Sequence, residues 1–285
     1  MEIKTLTVIG AGTMGRGIAQ MGAVGGYDVF LVDTDEKILQ SAIQMIEKNL
    51  QKGVQLGKVL PEAQEAAMKR LKATTDRTLA ASASDFVIEA VPEIITLKIE
   101  IFRDLDRTCP PHAILATNTS GLSVTEIAAT TGRPDKVIGM HFFNPVHLMK
   151  LIEIIRGLET SDGTMAATES VAVRMGKETV EVNEFPGFVT SRINAMIGNE
   201  AFYLLQEGVA SAENIDKAIK LGLNHPMGPL ELGDLVGLDA RLRVLEHLHA
   251  TLGEKYRPCP LMAKYVKAGR LGRKTGRGVY DYTGK

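Results

Sequence analysis

The stretch Leu6-Thr7-Val8-Ile9-Gly10-Ala11-Gly12-Thr13-Met14-Gly15 decides the fold of this chain. A short run rich in β-branched residues leads into a G-x-G-x-x-G motif, and apolar residues then recur at helical spacing over residues 18–23. Strand, glycine turn and helix in this order are typical of a dinucleotide-binding βαβ unit. In such a unit Gly10 permits the tight turn, Gly12 lets the backbone approach a pyrophosphate, and Gly15 lets the helix pack closely on the strand.

The start of the helix and the end of the second strand complete the predicted nucleotide site. Thr13 and Met14 begin the helix, whose first N–H groups and partial positive charge favour phosphate. A second apolar run over residues 28–32 ends at Asp33, 18 positions past Gly15. Asp33 would accept hydrogen bonds from both hydroxyls of the adenosine ribose and would repel a 2′-phosphate, so the sequence predicts NAD rather than NADP. The alternative is a glycine turn that only serves packing.

The remaining sequence predicts an α/β domain followed by a smaller all-helical domain. Strand and helix patterns alternate up to residue 182, which indicates a doubly wound, mostly parallel sheet of Rossmann type with helices on both faces. Two helical patterns, inserted at about 35–71, follow the second strand. The segment Phe185-Pro186-Gly187 breaks the pattern, so we expect residues 1–184 to bind NAD and residues 185–285 to serve dimerisation and substrate binding. The other predicted strands lie near 86–88, 113–116, 136–140, 151–155 and 178–182, and the helices near 35–51, 61–71, 94–108, from 124, and near 164–175, 188–207, 212–221, 239–251 and 260–268.

The composition excludes several classes of protein. The 285 residues are 45% hydrophobic and 24% charged, close to ordinary globular usage. With 33 basic and 34 acidic side chains the net charge is −1, so no overall field attracts nucleic acid or an anionic membrane. Two cysteines, Cys109 and Cys259, are too few for a disulfide framework or a tetrahedral zinc site, and we expect no metal. No apolar run approaches the ~20 residues of a membrane helix, and no targeting segment is recognised, so we expect a cytoplasmic protein.

Five ordered motifs follow the glycine turn. They are Asn118-Thr119-Ser120-Gly121-Leu122, Met140-His141-Phe142-Phe143-Asn144-Pro145, Glu184-Phe185-Pro186-Gly187-Phe188, Asn224-His225-Pro226-Met227-Gly228-Pro229 and Leu271-Gly272-Arg273-Lys274-Thr275-Gly276. Together they resemble the L-3-hydroxyacyl-CoA dehydrogenase family over almost the whole chain, and most closely its bacterial 3-hydroxybutyryl-CoA dehydrogenases. The resemblance implies that NAD reversibly takes a hydride from C3 of an (S)-3-hydroxyacyl-CoA to give a 3-ketoacyl-CoA. It also implies a role in fatty acid or butyrate metabolism and a homodimer.

Oxidation of a secondary alcohol requires a base that takes the hydroxyl proton, and histidine suits this role. His141 lies at the carboxyl end of a predicted strand, where ligands bind in open α/β sheets, and the resemblance makes it the general base. A structural histidine is the alternative. Glu153 lies between Ile152 and Ile154 on the next predicted strand, and a charge inside an apolar run requires a partner. Glu153 would orient the imidazole of His141, unless it is a solvent-facing residue of an edge strand.

Three further polar residues are candidates for the reaction centre. Ser120 and Asn144 would donate hydrogen bonds to the C3 oxygen of the substrate and to the nicotinamide end of the cofactor. Their alternative roles are a cap for the helix from residue 124 and a turn before Pro145. Many members of the family have an active-site asparagine where this chain has Ser191, and Asn194, one helical turn on, is a possible substitute.

The resemblance also assigns charged and polar residues to the cofactor and to CoA. Glu93 and Lys98 match positions that lie along the cofactor, and Lys274 matches a lysine that reaches it from the C-terminal tail. In the helical pair, Asn49 and Lys52 are candidates for binding the phosphates of CoA. For the charged residues a solvated side chain is the alternative. The further lysine candidates in the pair are Lys48 and Lys58.

Two other functions fit parts of this pattern. A related NAD-dependent dehydrogenase of another 3-hydroxy acid, acting without CoA, would share the domain arrangement. Such enzymes typically use a catalytic lysine where this chain offers His141 with Glu153. A noncatalytic NAD-binding protein would keep the fold, but the presence of His141, Glu153 and Ser120 argues against it.

Overall fold

The computed structural model describes residues 2–284, and the chain divides after Glu184 into two compact units. The first unit holds a sheet with helices, and the second is helical. The division falls where Phe185-Pro186-Gly187 ends the succession of strands. Among residues 2–284, no helix has both the length and the apolar character needed to cross a membrane.

One eight-stranded sheet organises the first unit. Its strands are β1 (Thr5–Ile9), β2 (Asp28–Val32), β3 (Leu71–Thr74), β4 (Phe86–Glu89), β5 (Ile114–Thr117), β6 (Val137–Phe142), β7 (Leu151–Arg156) and β8 (Glu178–Asn183). Their order in the sheet is β3-β2-β1-β4-β5-β6-β7-β8. Strands β1 to β6 are parallel, whereas β7 is antiparallel to β6 and parallel to β8. The predicted doubly wound, mostly parallel sheet is therefore confirmed, with the last two strands reversed.

Twelve helices are formed within the described residues. Those of the first unit are α1 (Thr13–Val24), α2 (Glu36–Gln55), α3 (Pro61–Arg70), α4 (Arg77–Ser82), α5 (Ile95–Thr108), α6 (Val124–Ala128) and α7 (Asp162–Arg174), and those of the second are α8 (Thr190–Gln206), α9 (Ala212–Gly222), α10 (Pro229–Val236), α11 (Leu238–Leu252) and α12 (Pro260–Lys267). The helical pair is thus α2 and α3. Its longer helix is amphipathic, since its buried residues Leu39, Ala42, Ile46 and Leu50 recur every three or four positions.

Four elements differ from the sequence predictions. Strand β3 and helices α4 and α10 were not predicted, because β3 is a four-residue edge strand with its centre exposed and the two helices are short. The alternative of a solvent-facing Glu153 on an edge strand requires residues 151–155 to alternate between exposed and buried side chains. Instead residues 152–155 are all buried, because β7 is paired on both sides and is not an edge strand.

Two buried aspartates fix the C-terminal segment of the second unit. Asp234 is fully buried and accepts hydrogen bonds from the backbone N–H groups of Val279 and Tyr280, both at 2.9 Å. Asp216 accepts a hydrogen bond from the Tyr280 hydroxyl at 2.7 Å. Because buried carboxylates require such donors, these hydrogen bonds tie the segment after residue 278 to the aspartates.

One buried cation of the second unit lacks hydrogen-bond acceptors. Arg241 on α11 is only 6% exposed, and within residues 2–284 its buried Nε and Nη2 atoms have no partner. Gly198 on α8 packs beside it, since a Cβ there would lie 3.6 Å from Nε, in ordinary van der Waals contact. Burial lowers the pKa of Arg241 to about 10. The guanidinium therefore carries a desolvation cost that no hydrogen bond from Nε or Nη2 to the described residues offsets.

Candidate active site

The glycine loop after β1 has the geometry that a pyrophosphate requires. Gly10 has a φ of 98°, which favours glycine, and its N–H donates to the Val32 carbonyl at 2.7 Å. A Cβ on Gly15 would lie 1.7 Å from the Gly10 oxygen, so helix α1 can start this close to the turn only with glycine there. By contrast, the space beside Gly12 is open to 4 Å, and no side chain caps α1. A phosphate can therefore approach the first N–H groups of the helix.

Asp33 is fixed at the end of β2 on the same side of the sheet. Its Oδ2 accepts a hydrogen bond from the Ala11 N–H at 2.8 Å, and its Oδ1 accepts one from the Asp35 N–H at 3.2 Å. A cavity of about 830 Å³ joins this carboxylate to the glycine loop, and Gly12, Thr13, Met14 and Asp33 are among the residues that line it. The open space, the uncapped helix and the carboxylate together fit a dinucleotide with a free ribose 2′-hydroxyl.

The candidate base and its partner meet across two adjacent strands. His141 on β6 stands opposite Glu153 on β7, and the His141 Nδ1 atom lies 2.7 Å from Glu153 Oε2. The side chains are 8% and 0% exposed. The alternative of a solvent-facing glutamate on an edge strand is therefore wrong. Because an ionised carboxylate only accepts hydrogen bonds, we assign the hydrogen to Nδ1, which places the lone pair of the neutral ring on Nε2.

Glu93 holds the loop that carries Ser120. Its Oε1 accepts hydrogen bonds from the Thr119 hydroxyl at 2.6 Å and from the Ser120 N–H at 2.7 Å. The Ser120 residue itself is exposed, whereas Thr119 is buried. The N-cap of α6 is Ser123, whose hydroxyl accepts from the Glu126 N–H at 3.0 Å. The alternative in which Ser120 caps this helix is therefore wrong.

Lys98 is the centre of a buried cluster. Its side chain is 0% exposed, and its Nζ donates to both carboxylate oxygens of Glu89 at 2.8 Å and to the Asn118 carbonyl at 3.2 Å. The Glu93 carboxylate lies 3.5 Å away. Lys98 is consequently not a solvated charge, which corrects that alternative, and its contact with the cofactor stays a prediction. Burial raises the pKa of Glu89, and the Lys98 charge opposes this shift.

Glu89 and Asn118 also belong to this cluster, and neither was predicted from the sequence as a functional residue. The Thr117 hydroxyl donates to Glu89 Oε2 at 2.7 Å, and the Asn118 side chain accepts from the Phe142 N–H at 3.1 Å. A signal was available, since Glu89 is a carboxylate at the end of the apolar run Phe86-Val87-Ile88 and a charge in that position requires a buried partner.

The remaining predicted residues lie in several places. Asn144 is exposed and follows β6 by two residues. In the second unit, Ser191 and Asn194 are half-buried in the first turns of α8, and Lys274 forms a 2.5 Å ion pair with Asp239. Their roles stay predictions.

The helical pair places a positive charge near the segment after β6. Lys52 is exposed on α2, and Lys48 lies one turn before it. Burial, together with the charges of Lys177 and Lys52, lowers the pKa of His147. The Asn49 side chain donates to the Gln20 side chain of α1 at 3.4 Å and is half-buried. Lys52 is therefore better placed than Asn49 to bind an anion beside this segment.

The comparisons with known proteins define the class. Residues 5–185 match the family model described as 3-hydroxyacyl-CoA dehydrogenase, NAD binding domain, and residues 187–282 match 3-hydroxyacyl-CoA dehydrogenase, C-terminal domain. The chain therefore belongs to the 3-hydroxyacyl-CoA dehydrogenase family. It is an NAD-dependent oxidoreductase that acts on a CH–OH group. Within the described residues, no group of histidine, cysteine, aspartate or glutamate side chains could hold a metal ion.

Several relatives are similar over their full length. The probable 3-hydroxybutyryl-CoA dehydrogenase of Bacillus subtilis (strain 168) is 51% identical over 287 residues, which cover 100% of this chain and 99% of that protein. The 3-hydroxybutyryl-CoA dehydrogenase of Bradyrhizobium diazoefficiens is 47% identical over 283 residues, which cover 99% of this chain and 96% of that protein. The crystal structure of (S)-3-hydroxybutyryl-CoA dehydrogenase from Ralstonia eutropha has a TM-score of 0.96 and 46% identity, covering 99% of this chain and 100% of that one.

Proposed function

We propose that this protein interconverts a short-chain (S)-3-hydroxyacyl-CoA, with 3-hydroxybutyryl-CoA as the leading candidate, and the corresponding 3-ketoacyl-CoA. The observation that carries the proposal is the buried pair of His141 and Glu153, at the edge of the sheet where β1 leads into the glycine loop. The names of the relatives at 51% and 46% identity support the four-carbon acyl chain.

His141 is the proton acceptor in this proposal. When bound, NAD supplies the acceptor for the hydride that leaves C3 of the substrate. His141 takes the proton of the 3-hydroxyl group at Nε2, while its Nδ1–H stays bonded to Glu153. The buried carboxylate stabilises the imidazolium that forms, and it keeps the ring in the tautomer that can accept. In the reverse direction His141 returns the proton to the ketone oxygen.

Neutral and charged donors position the reactants. Ser120 and Asn144 donate to the C3 oxygen and towards the nicotinamide end of the cofactor. The hydrogen bond from the Ser120 N–H to Glu93 supports this role, because it fixes the backbone from which the hydroxyl projects. Ser191 supplies a further donor from the start of α8. Asp33 binds the adenosine ribose. The other residues proposed to contact the cofactor are Gly10, Gly12, Thr13, Met14, Gly15, Glu93, Lys98 and Lys274.

The phosphates of CoA bind to the helical pair in this proposal. The positive charges of Lys48 and Lys52, four residues apart on α2, support it, with Lys58 in the following turn and Asn49 as a weaker candidate. We also propose a homodimer formed through the second unit, where Leu221 and Leu223 are 76% and 63% exposed. A cytoplasmic location is supported by the two cysteines, which are buried and form no disulfide.

A series of 3-ketoacyl-CoA substrates from four to sixteen carbons tests the proposed substrate class. We expect kcat/KM for NADH oxidation to be highest at four carbons and to fall with length. A maximum at ten carbons or more would contradict the short-chain assignment. Lys52→Ala should raise KM for acetoacetyl-CoA severalfold with little change in kcat, whereas Lys69→Ala, an exposed lysine of α3, serves as the matched control. Light scattering should give a mass near twice the 30.8 kDa of the chain.

A further inference from the structure

The strand that carries His141 extends beyond its neighbour on one side. Strand β5 pairs with β6 only as far as Thr117, which lies opposite Gly139. On the other side β7 continues the ladder, with Glu153 opposite His141 and Ile152 opposite Phe142. The end of β6 that holds the proposed base is therefore paired as a strand on one side only. An unpaired buried N–H there would be costly and would loosen the strand end.

The side chain of Asn118 supplies the missing partner. Its Oδ1 accepts a hydrogen bond from the Phe142 N–H at 3.1 Å, and Phe142 is 3% exposed. The carboxamide thus continues the ladder where the main chain of β5 turns away.

Asn118 is itself held at both ends of its backbone. Its N–H donates to the Glu89 carbonyl at 2.7 Å, and its carbonyl accepts from Lys98 Nζ at 3.2 Å. Lys98 and Glu89 are 0% exposed and form an ion pair at 2.8 Å. The backbone that carries the acceptor is therefore held on both sides, by the Glu89 carbonyl and by Lys98, whose charge is paired with Glu89.

We propose that Asn118 is a positioning residue for His141, acting through the Phe142 N–H and held by the Glu89–Lys98 ion pair. The inference rests on the proposed function, since it gives His141 the role of base. Asn118 fixes the end of β6 on the side away from Glu153. The imidazole of His141 is then held through its ring by the Glu153 carboxylate, and through its backbone by a strand end that cannot shift. The acceptor oxygen of Asn118 is the atom that matters.

Two substitutions test whether Asn118 acts through its acceptor oxygen, because one removes that oxygen and the other keeps it. Asn118→Ala removes the acceptor and should lower kcat about tenfold with little change in the KM for NADH, because one neutral hydrogen bond is lost. Asn118→Asp keeps an acceptor oxygen and should retain at least a third of the wild-type kcat. Asn183→Ala, at the exposed end of β8, is the control and should leave kcat unchanged. If Asn118→Asp is as impaired as Asn118→Ala, or if Asn118→Ala is fully active, the inference is overturned.

Hydrogen exchange of the Phe142 amide, followed by NMR, provides a readout that does not depend on turnover. In Asn118→Ala this amide should exchange at least tenfold faster, while the amides of β1 keep their wild-type protection. Unchanged Phe142 exchange in an active enzyme would overturn the inference alone. A wild-type protein that does not reduce acetoacetyl-CoA would refute the proposed function, and the catalytic role of Asn118 with it. The two failures are therefore distinguishable.

Discussion

Replacement of Glu153 by glutamine tests the pairing of the two buried side chains. The substitution keeps the size of the side chain and removes the charge that lies 2.7 Å from His141 Nδ1, at a position that is 0% exposed. A hydrogen bond to a charged group contributes about 1.5–3 kcal/mol, which corresponds to a roughly 10- to 160-fold loss of kcat. The loss falls at the larger end if the amide turns its NH₂ group to the ring, because Nδ1 then accepts and Nε2 carries the hydrogen.

The assay for Glu153→Gln is NAD reduction with saturating (S)-3-hydroxybutyryl-CoA between pH 5 and pH 9, the direction in which His141 acts as the base. Besides the lower kcat, we expect the acidic limb of the pH profile to move to lower pH, because the imidazolium loses its carboxylate. Glu178→Gln, on the exposed edge strand β8, is the matched control and should behave as the wild type. A Glu153→Gln variant with kcat within twofold of the wild type and an unshifted profile would refute the pairing as part of the mechanism.

Three further predictions concern the cofactor, the substrate and stability. The wild type should prefer NADH to NADPH by well over tenfold in kcat/KM, because Asp33 repels a 2′-phosphate, and equal use of both cofactors would refute its ribose role. Ser191→Ala should lower kcat/KM about five- to thirtyfold, the effect of one lost hydrogen bond; a silent Ser191→Ala with a damaging Asn194→Ala would move the donor one turn along α8. Arg241→Met should raise the Tm, because it removes a buried charge that lacks hydrogen-bond acceptors among the described residues. Burial depresses the pKa of the guanidinium to about 10, so the desolvation cost of its charged form is fully present at every pH below that value. A lower Tm would contradict the net cost assigned to the buried guanidinium.

Local sequence patterns predicted most of the fold, because the apolar residues of each long helix or strand recur with one clear period. The glycine turn, the second strand and the amphipathic α2 are examples, since they depend on residues that lie close in sequence. The reversed direction of β7 was missed although the sequence carried a signal, because the segment between Phe142 and Leu151 has no helical pattern and is too short for the crossover that a parallel neighbour needs. Strand β3 was missed because it is short and its centre is exposed.

In the candidate site, too, the sequence predicted some residues but not the contacts between them. His141 was identifiable from its position at the end of a strand, together with the motif around it. That Glu153 lies opposite His141 depends on the register of two strands, which the sequence does not specify. The link from Asn118 to Phe142 depends on where the pairing of β5 and β6 ends, so it became visible only in three dimensions.

The absorbance of NADH at 340 nm tests the central claim most directly, with the wild type and His141→Gln compared on acetoacetyl-CoA and on free acetoacetate. The wild type should oxidise NADH with the thioester and not with the free acid. His141→Gln should bind NADH as the wild type does and lose a factor of about 10² to 10⁴ in kcat, the usual effect of removing a positioned general base. Comparable turnover of free acetoacetate would contradict the requirement for CoA. Retention of more than about a tenth of the activity by His141→Gln at any pH would contradict the assignment of the base.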